Sequence, residues 1–177
     1  ETKMQTKYYN AEFCVVGGGL SGFCAAIAAA RHGAKTILIH DRPILGGNAS
    51  SEVRMWIRGA HGQDRKETGI VEELILENYY RNPQQSFSVW DGVLYGMAMY
   101  QDNLTVLLNS SVLSAECEGQ QIKSVTAWQS NAETFHVVTA KYFADCSGDS
   151  VLAPLSGANF MYGRESAAEY GEYVIQS

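Results

Sequence analysis

Charge is scarce in this sequence. Charged residues make up 18% of its 177 residues, below the roughly one quarter usual for soluble domains. Lys and Arg number 13 against 19 Asp and Glu, a net charge of −6. That balance argues against a nucleic-acid backbone or an anionic membrane surface as the main partner. No apolar run approaches the roughly 20 residues of a membrane span. The 4 cysteines (Cys14, Cys24, Cys117 and Cys146) include no C-x-x-C pair and no Cys–His spacing of zinc type. They read as reduced thiols, two of them in apolar runs, and the disulfide-scaffold class is excluded at this size. The histidines His32, His40, His61 and His136 show no metal-ligand repeat, so no metal site is expected. A Walker-type Gly-Lys-Ser/Thr is missing, and Ser21 stands one residue short of a G-x-S-x-G nucleophile elbow. The first ten residues lack both an initiator Met and an apolar signal core, which leads us to expect a processed or excised piece. Reduced cysteines favour the cytoplasm as compartment, with export and processing left open.

What the chain does have is 46% hydrophobic residues and 17 glycines, enough to build a core in one domain. Residues 13–16 form a short apolar run that ends in Gly17-Gly18-Gly19, a strand meeting a tight turn. Residues 20–32 are Ala-rich and free of Pro, a helix with Arg31 and His32 in its last turn and Gly33 as a left-handed cap. Residues 36–39 are a second, β-branched strand, completing a strand–helix–strand unit. Residues 41–60 read as loop. Helices are expected over 68–80 and 89–101, and a strand over 104–108. Short alternating segments at 112–117, 122–128, 134–139 and 142–146 read as an antiparallel meander. The fold class expected is α/β: a Rossmann-like parallel sheet with helices and an antiparallel meander crossover. It divides as 11–60 (nucleotide unit and Gly-Gly loop), 61–103 (mostly helical insert) and 104–163 (strand, meander and a third motif).

The chemistry lies in Gly17-Gly18-Gly19-Leu20-Ser21-Gly22, a G-x-G-x-x-G that follows a strand and opens a helix. Gly17 permits the turn, Gly19 leaves room for a pyrophosphate, and Gly22 lets helix and strand pack closely. Phosphates would sit on the free amides of the helix N-terminus, so a negative net charge is no objection. At the end of the second strand, where an acid is expected to accept from ribose hydroxyls, stands His40, with Asp41 one residue further. We favour Asp41 as the ribose acceptor; His40 contacting the adenosine is the alternative.

These motifs resemble the FAD-dependent oxidoreductases of the glutathione-reductase-like superfamily, and most of all their bacterial branch. Two further segments carry the resemblance: Asp41-Arg42-Pro43-Ile44-Leu45-Gly46-Gly47-Asn48-Ala49-Ser50, and Asp145-Cys146-Ser147-Gly148-Asp149, similar to the family's D-A-T-G-D. The resemblance implies FAD as cofactor, with Gly46, Gly47 and Asn48 along the pyrophosphate-to-flavin region and Arg42 beside them. It implies that the backbone of Val112 lies against adenine, and that Ser147, Gly148 and Asp149 close over the cofactor. It also implies a small-molecule substrate and an electron donor or acceptor. Family members are several hundred residues long and end in a Gly-rich flavin segment that is not found here. We therefore expect an FAD-binding portion of a larger protein that self-associates or associates with its remainder. After the Gly-Gly loop, Arg58 and His61 are the candidates for anion binding and acid–base work. An NAD(P)-dependent dehydrogenase and a non-catalytic nucleotide-binding module are the alternative readings.

Overall fold

The first two apolar runs become neighbouring strands whose side chains alternate between two cores. The computed structural model describes residues 4–60, 62–166, 169 and 171. In chain order the strands are β1 (Gln5–Asn10), β2 (Phe13–Val16), β3 (Thr36–Ile39), β4 (Leu104–Leu107), β5 (Ser110–Glu118), β6 (Gln121–Gln129), β7 (Thr134–Thr139) and β8 (Tyr142–Asp145). The helices are α1 (Leu20–Arg31), α2 (Gly69–Arg81), α3 (Phe87–Met99) and the short α4 (Leu152–Ser156). Strands β4-β3-β2-β8 form a parallel sheet, and β1-β7-β6-β5 form a second, mixed sheet.

Period two in β2 and β3 decides how the layers stack. Val15 and Leu38 face the helices, in a core with Phe23, Ala26 and Ile27 of α1, Leu74 of α2 and Leu94 of α3. Cys14, Val16, Ile37 and Ile39 face the other way, against Val125, Ala127 and Val138 of the mixed sheet. The parallel sheet is therefore covered on both faces, which is why its two central strands read as continuous apolar runs. In α1 the buried positions Phe23, Ala26, Ile27 and Ala30 recur at helical spacing. Completely burying Phe23 or Ile27 contributes about 2 kcal/mol each. A two-pronged ion pair from Arg31 to Glu73, at 2.8 and 2.7 Å, ties α1 to α2 on the exposed side.

Two features depart from the sequence expectation. The meander has three strands, not four: β8 leaves it and pairs parallel with β2, Phe13 opposite Tyr142 and Val16 opposite Asp145. Alternation along residues 142–146 fixes a pleated strand but carries no information on which neighbour it takes. The polar segment Gln5–Asn10 is also a strand, pairing parallel with β7 at the edge of the mixed sheet. Its side chains are largely exposed, so it shows no apolar period to read. Among the described residues no helix is long and apolar enough to cross a membrane.

Candidate cofactor site

The carboxyl ends of β2, β3 and β8 meet at three turns, and the glycines there are required by contact and by conformation. Gly17 has φ 104°, and a Cβ on it would stand 2.2 Å from the Cys146 carbonyl oxygen. A Cβ on Gly22 would stand 1.9 Å from the Gly17 carbonyl oxygen, so α1 approaches the end of β2 as closely as backbone allows. Gly19 is different: a Cβ there would find nothing nearer than the Gly47 Cα at 4.0 Å. Gly19 is also the N-cap of α1, without a side chain to cap it and with no acid in the first turn. The amides at the start of α1 have no partner within the helix, and the positive end of the helix dipole faces open space.

The second turn is organised around His40, which is buried. Its Nδ1 accepts the Gly18 N–H at 2.9 Å, and its Nε2 lies 3.0 Å from the Ile44 carbonyl, to which it donates. Those two bonds fix a neutral ring, and burial pushes its pKa below the ordinary imidazole value. The Asp41 carboxylate, 3.4 Å from Nδ1, does not reverse this, because protonating Nδ1 would break the bond from Gly18. A Cβ on Gly18 would collide with His40 Cγ and Leu45 Cδ2, each at 2.7 Å. Gly46 continues the wall: its N–H donates to the Gly18 carbonyl at 2.8 Å, and its φ of 111° is a glycine conformation. A Cβ on Gly47 would press on the Gly19 Cα at 3.0 Å.

The third turn hangs on Asp145. Its carboxylate accepts from the Ser147 N–H at 3.0 Å, the Ser147 hydroxyl at 2.6 Å and the Leu152 N–H at 2.7 Å. The Cys146 N–H donates to the Val16 carbonyl at 2.7 Å, anchoring this turn to the end of β2. Burial pushes the Cys146 thiol up, so it stays protonated near neutral pH; Cys14, deep in the core, is pushed up to about 12.

The three turns enclose a cavity of about 610 Å³, within the usual range for small-molecule and cofactor sites. Residues 12–177 match the family described as FAD dependent oxidoreductase. The chain belongs to that family. No curated protein matches it. Among solved structures it resembles p-nitrophenol 4-monooxygenase PnpA from Pseudomonas putida, at 12% identity and TM-score 0.58, over 84% of this chain and 44% of that one. It also resembles Escherichia coli quinol fumarate reductase FrdA, at 16% identity and TM-score 0.56, over 81% and 33%. A third is the myxobacterial chondrochloren halogenase CndH, described as FAD-dependent, at 15% identity and TM-score 0.51, over 81% and 38%. At such identities the likeness is one of fold, and the chain spans less than half the length of each.

FAD is the cofactor that this family takes, and the residues present fit it. An uncapped helix end, a wall with no Cβ at Gly19 and a cavity of cofactor size are what a dinucleotide pyrophosphate needs. Gly17, Gly19, Ser21, His40, Asp41, Arg42, Gly46, Gly47, Asn48, Ser147 and Gly148 all line the cavity. Gly18 and Gly22 stand behind its wall. Asp41 presents an exposed carboxylate, whereas His40 has both ring nitrogens engaged by backbone. Arg42 is paired with Glu52 at 2.8 Å, so the helix end supplies much of the positive potential. Val112 and Asp149 do not line this cavity; Val112 packs against the second core, beside a bulge in β5. Arg58 lines a separate, smaller cavity of about 300 Å³ with Lys66, Glu67 and Glu72. His61 lies outside the described residues. The sequence reading missed Glu52, Met55, Trp56 and Ile57, which line the flavoprotein cavity and follow the Gly-Gly loop directly. Their signal was proximity to that loop; no periodicity marks them.

Proposed function

We propose that this chain is the FAD-binding part of a flavin-dependent oxidoreductase of the bacterial type its motifs resemble, acting on a small molecule with a separate electron donor or acceptor. One observation carries the reading: the amides at the start of α1 open onto a glycine-walled cavity, and among the described residues no carboxylate caps them. In this reading the amides of Leu20 and Ser21 hold the pyrophosphate, and Asp41 accepts from the ribose hydroxyls. Gly46, Gly47 and Asn48 flank the path toward the flavin. Ser147 and Gly148, held in place by Asp145, close the opposite side, with Asp149 beside them. The Val112 backbone belongs to the adenine end. Bound flavin supplies the redox chemistry, while this chain orients it and excludes water. Arg58 and His61 are proposed to serve the substrate side, Arg58 holding an anion and His61 moving a proton.

Exposed aromatic side chains such as Tyr80 and Tyr100 support association with a further portion or a second copy. The test of the cofactor reading is reconstitution. Titration with FAD should give a saturable change in visible flavin absorbance, while NADH and NADPH should not compete. Saturation by NADH with no FAD binding would replace this reading with that of a nicotinamide-dependent dehydrogenase.

A further inference from the structure

Beside the cofactor cavity lies a second one of about 670 Å³, walled by Arg54, Trp56 and Ile57 on one side and by α2, α3 and the loop between them on the other. It shares Ala49, Trp56 and Ile57 with the cofactor cavity, whereas Asp41 and Arg42 line only the first. A molecule seated there touches the cofactor site beyond Asn48, at the side where the flavin is assigned. This inference rests on that assignment.

The lining of this cavity has an unusual composition for so acidic a chain. Four aromatic rings (Trp56, Tyr79, Phe87 and Trp90), drawn from both walls, line the cavity, and among the described residues its single charged one is the cation Arg54. Arg54 is held in place. Its Nε donates to the Ser51 carbonyl at 3.1 Å, its backbone N–H donates to Ser50 at 2.8 Å, and its guanidinium sits 5.5 Å from the centre of the Phe87 ring. Its φ of 63° is a left-handed conformation that a non-glycine residue adopts only when its surroundings enforce it. Several polar groups of the wall are already engaged. Asn82 bonds to Asn78 at 2.9 Å and exchanges bonds with Ser86 at 2.8 and 2.7 Å, and the Trp90 indole N–H donates to the Ala49 carbonyl at 2.8 Å. A polyhydroxylated ligand would find few unspent partners. A flat apolar ring carrying one anionic group would find aromatic faces and one oriented guanidinium.

We propose that this cavity is a substrate subsite for an aromatic carboxylate, its ring among the aromatic walls and its carboxylate on Arg54. The experiment is calorimetric titration of the FAD-loaded protein with cinnamate, its neutral amide cinnamamide, and galacturonate. Cinnamate should saturate and cinnamamide should bind about tenfold more weakly or worse, the loss expected for a charge-assisted hydrogen bond. Arg54→Gln should erase the difference between acid and amide, and Arg54→Lys should restore part of it. Trp56→Ala, a change at a side chain that is 75% exposed, should weaken both ligands without disturbing the core. Equal binding of acid and amide, tighter binding of galacturonate, or no saturation by cinnamate would each overturn the proposal. FAD binding on the same preparations keeps the two readings apart. If FAD binds and cinnamate does not, only the subsite falls. If FAD does not bind, the cofactor assignment falls, and the subsite loses its role with it.

Discussion

Replacing Gly19 with alanine should separate cofactor affinity from stability, because the structure gives this glycine no packing role. Its backbone, at φ −63° and ψ 176°, is one any residue adopts, and an added Cβ meets only the Gly47 Cα at 4.0 Å. Folding should therefore be unharmed, or gain about 0.4–1 kcal/mol from a less flexible unfolded chain. For a chain of this size that gain raises Tm by about 1–4 °C. The methyl would instead occupy the space between the start of α1 and the bound pyrophosphate. Losing one charge-assisted bond to a helix amide costs about 1.5–3 kcal/mol, or roughly 10- to 150-fold in Kd. Equilibrium titration with FAD, followed by visible absorbance, and a thermal melt on the same sample read the two effects separately. If Gly19→Ala binds FAD within about threefold of the parent, the pyrophosphate does not lie over this helix end. If the variant melts many degrees lower, the space above Gly19 is not open.

Gly22→Ala should do the reverse: with Gly17 O at 1.9 Å from the new Cβ, α1 must move off the sheet, and melts should show a loss of about 3 kcal/mol or a failure to fold. Asp41→Ala should weaken FAD binding with little change in Tm, whereas His40→Ala should lower Tm by removing the bonds to Gly18 and Ile44; the opposite pattern would reverse their assigned roles. Asp145→Ala strips partners from the Ser147 and Leu152 amides, which should cost about 1–2 kcal/mol and speed hydrogen exchange at residues 147–152. Burial depresses the folded-state pKa of both His40 and His136, so on acidification the unfolded chain takes up their protons first. Their contribution to stability is complete above about pH 6.5 and is lost below it, at up to about 1.4 kcal/mol per pH unit for each. Melts from about pH 7.5 down to about 5.5 should show a falling Tm, and His136→Gln should shallow the slope.

The sequence made the parallel unit legible because its physics is local. An apolar run, a glycine turn, an Ala-rich helix and a second run specify β2, α1 and β3 within one or two residues. The eleven lining residues anticipated from motifs share a property: each sits in a turn or in the first helical turn that follows one, where backbone geometry is encoded in adjacent residues. What stayed hidden depends on distant parts of the chain. The transfer of β8 to the parallel sheet and the pairing of polar β1 with β7 are choices of neighbour, made by a core that no local pattern describes. The same holds for Trp56 and Ile57, which reach the cavity only because the loop after Ala49 folds back along it, the Met55 N–H bonding to the Asn48 carbonyl at 2.8 Å. Ile57 also lines the smaller cavity that holds Arg58, and Arg58 itself does not reach the larger one.

Gly18 and His40 are best understood together. The G-x-G-x-x-G pattern treats the position of Gly18 as free, and the ribose-binding fingerprint expects an acid where His40 stands. In this chain the imidazole fills the volume that any side chain at position 18 would need, with contacts of 2.7 Å to His40 and Leu45. The ring also spends both nitrogens on backbone, joining the glycine turn after β2 to the turn after β3. A short carboxylate at position 40 could not span from Gly18 to Ile44, so the histidine fixes the relative position of two turns. The acid then appears one residue later, at Asp41, exposed on the cavity wall. The departure from the pattern at position 40 is thus tied to a glycine at position 18. A single replacement at either site should disturb both turns, and the cavity between them with it.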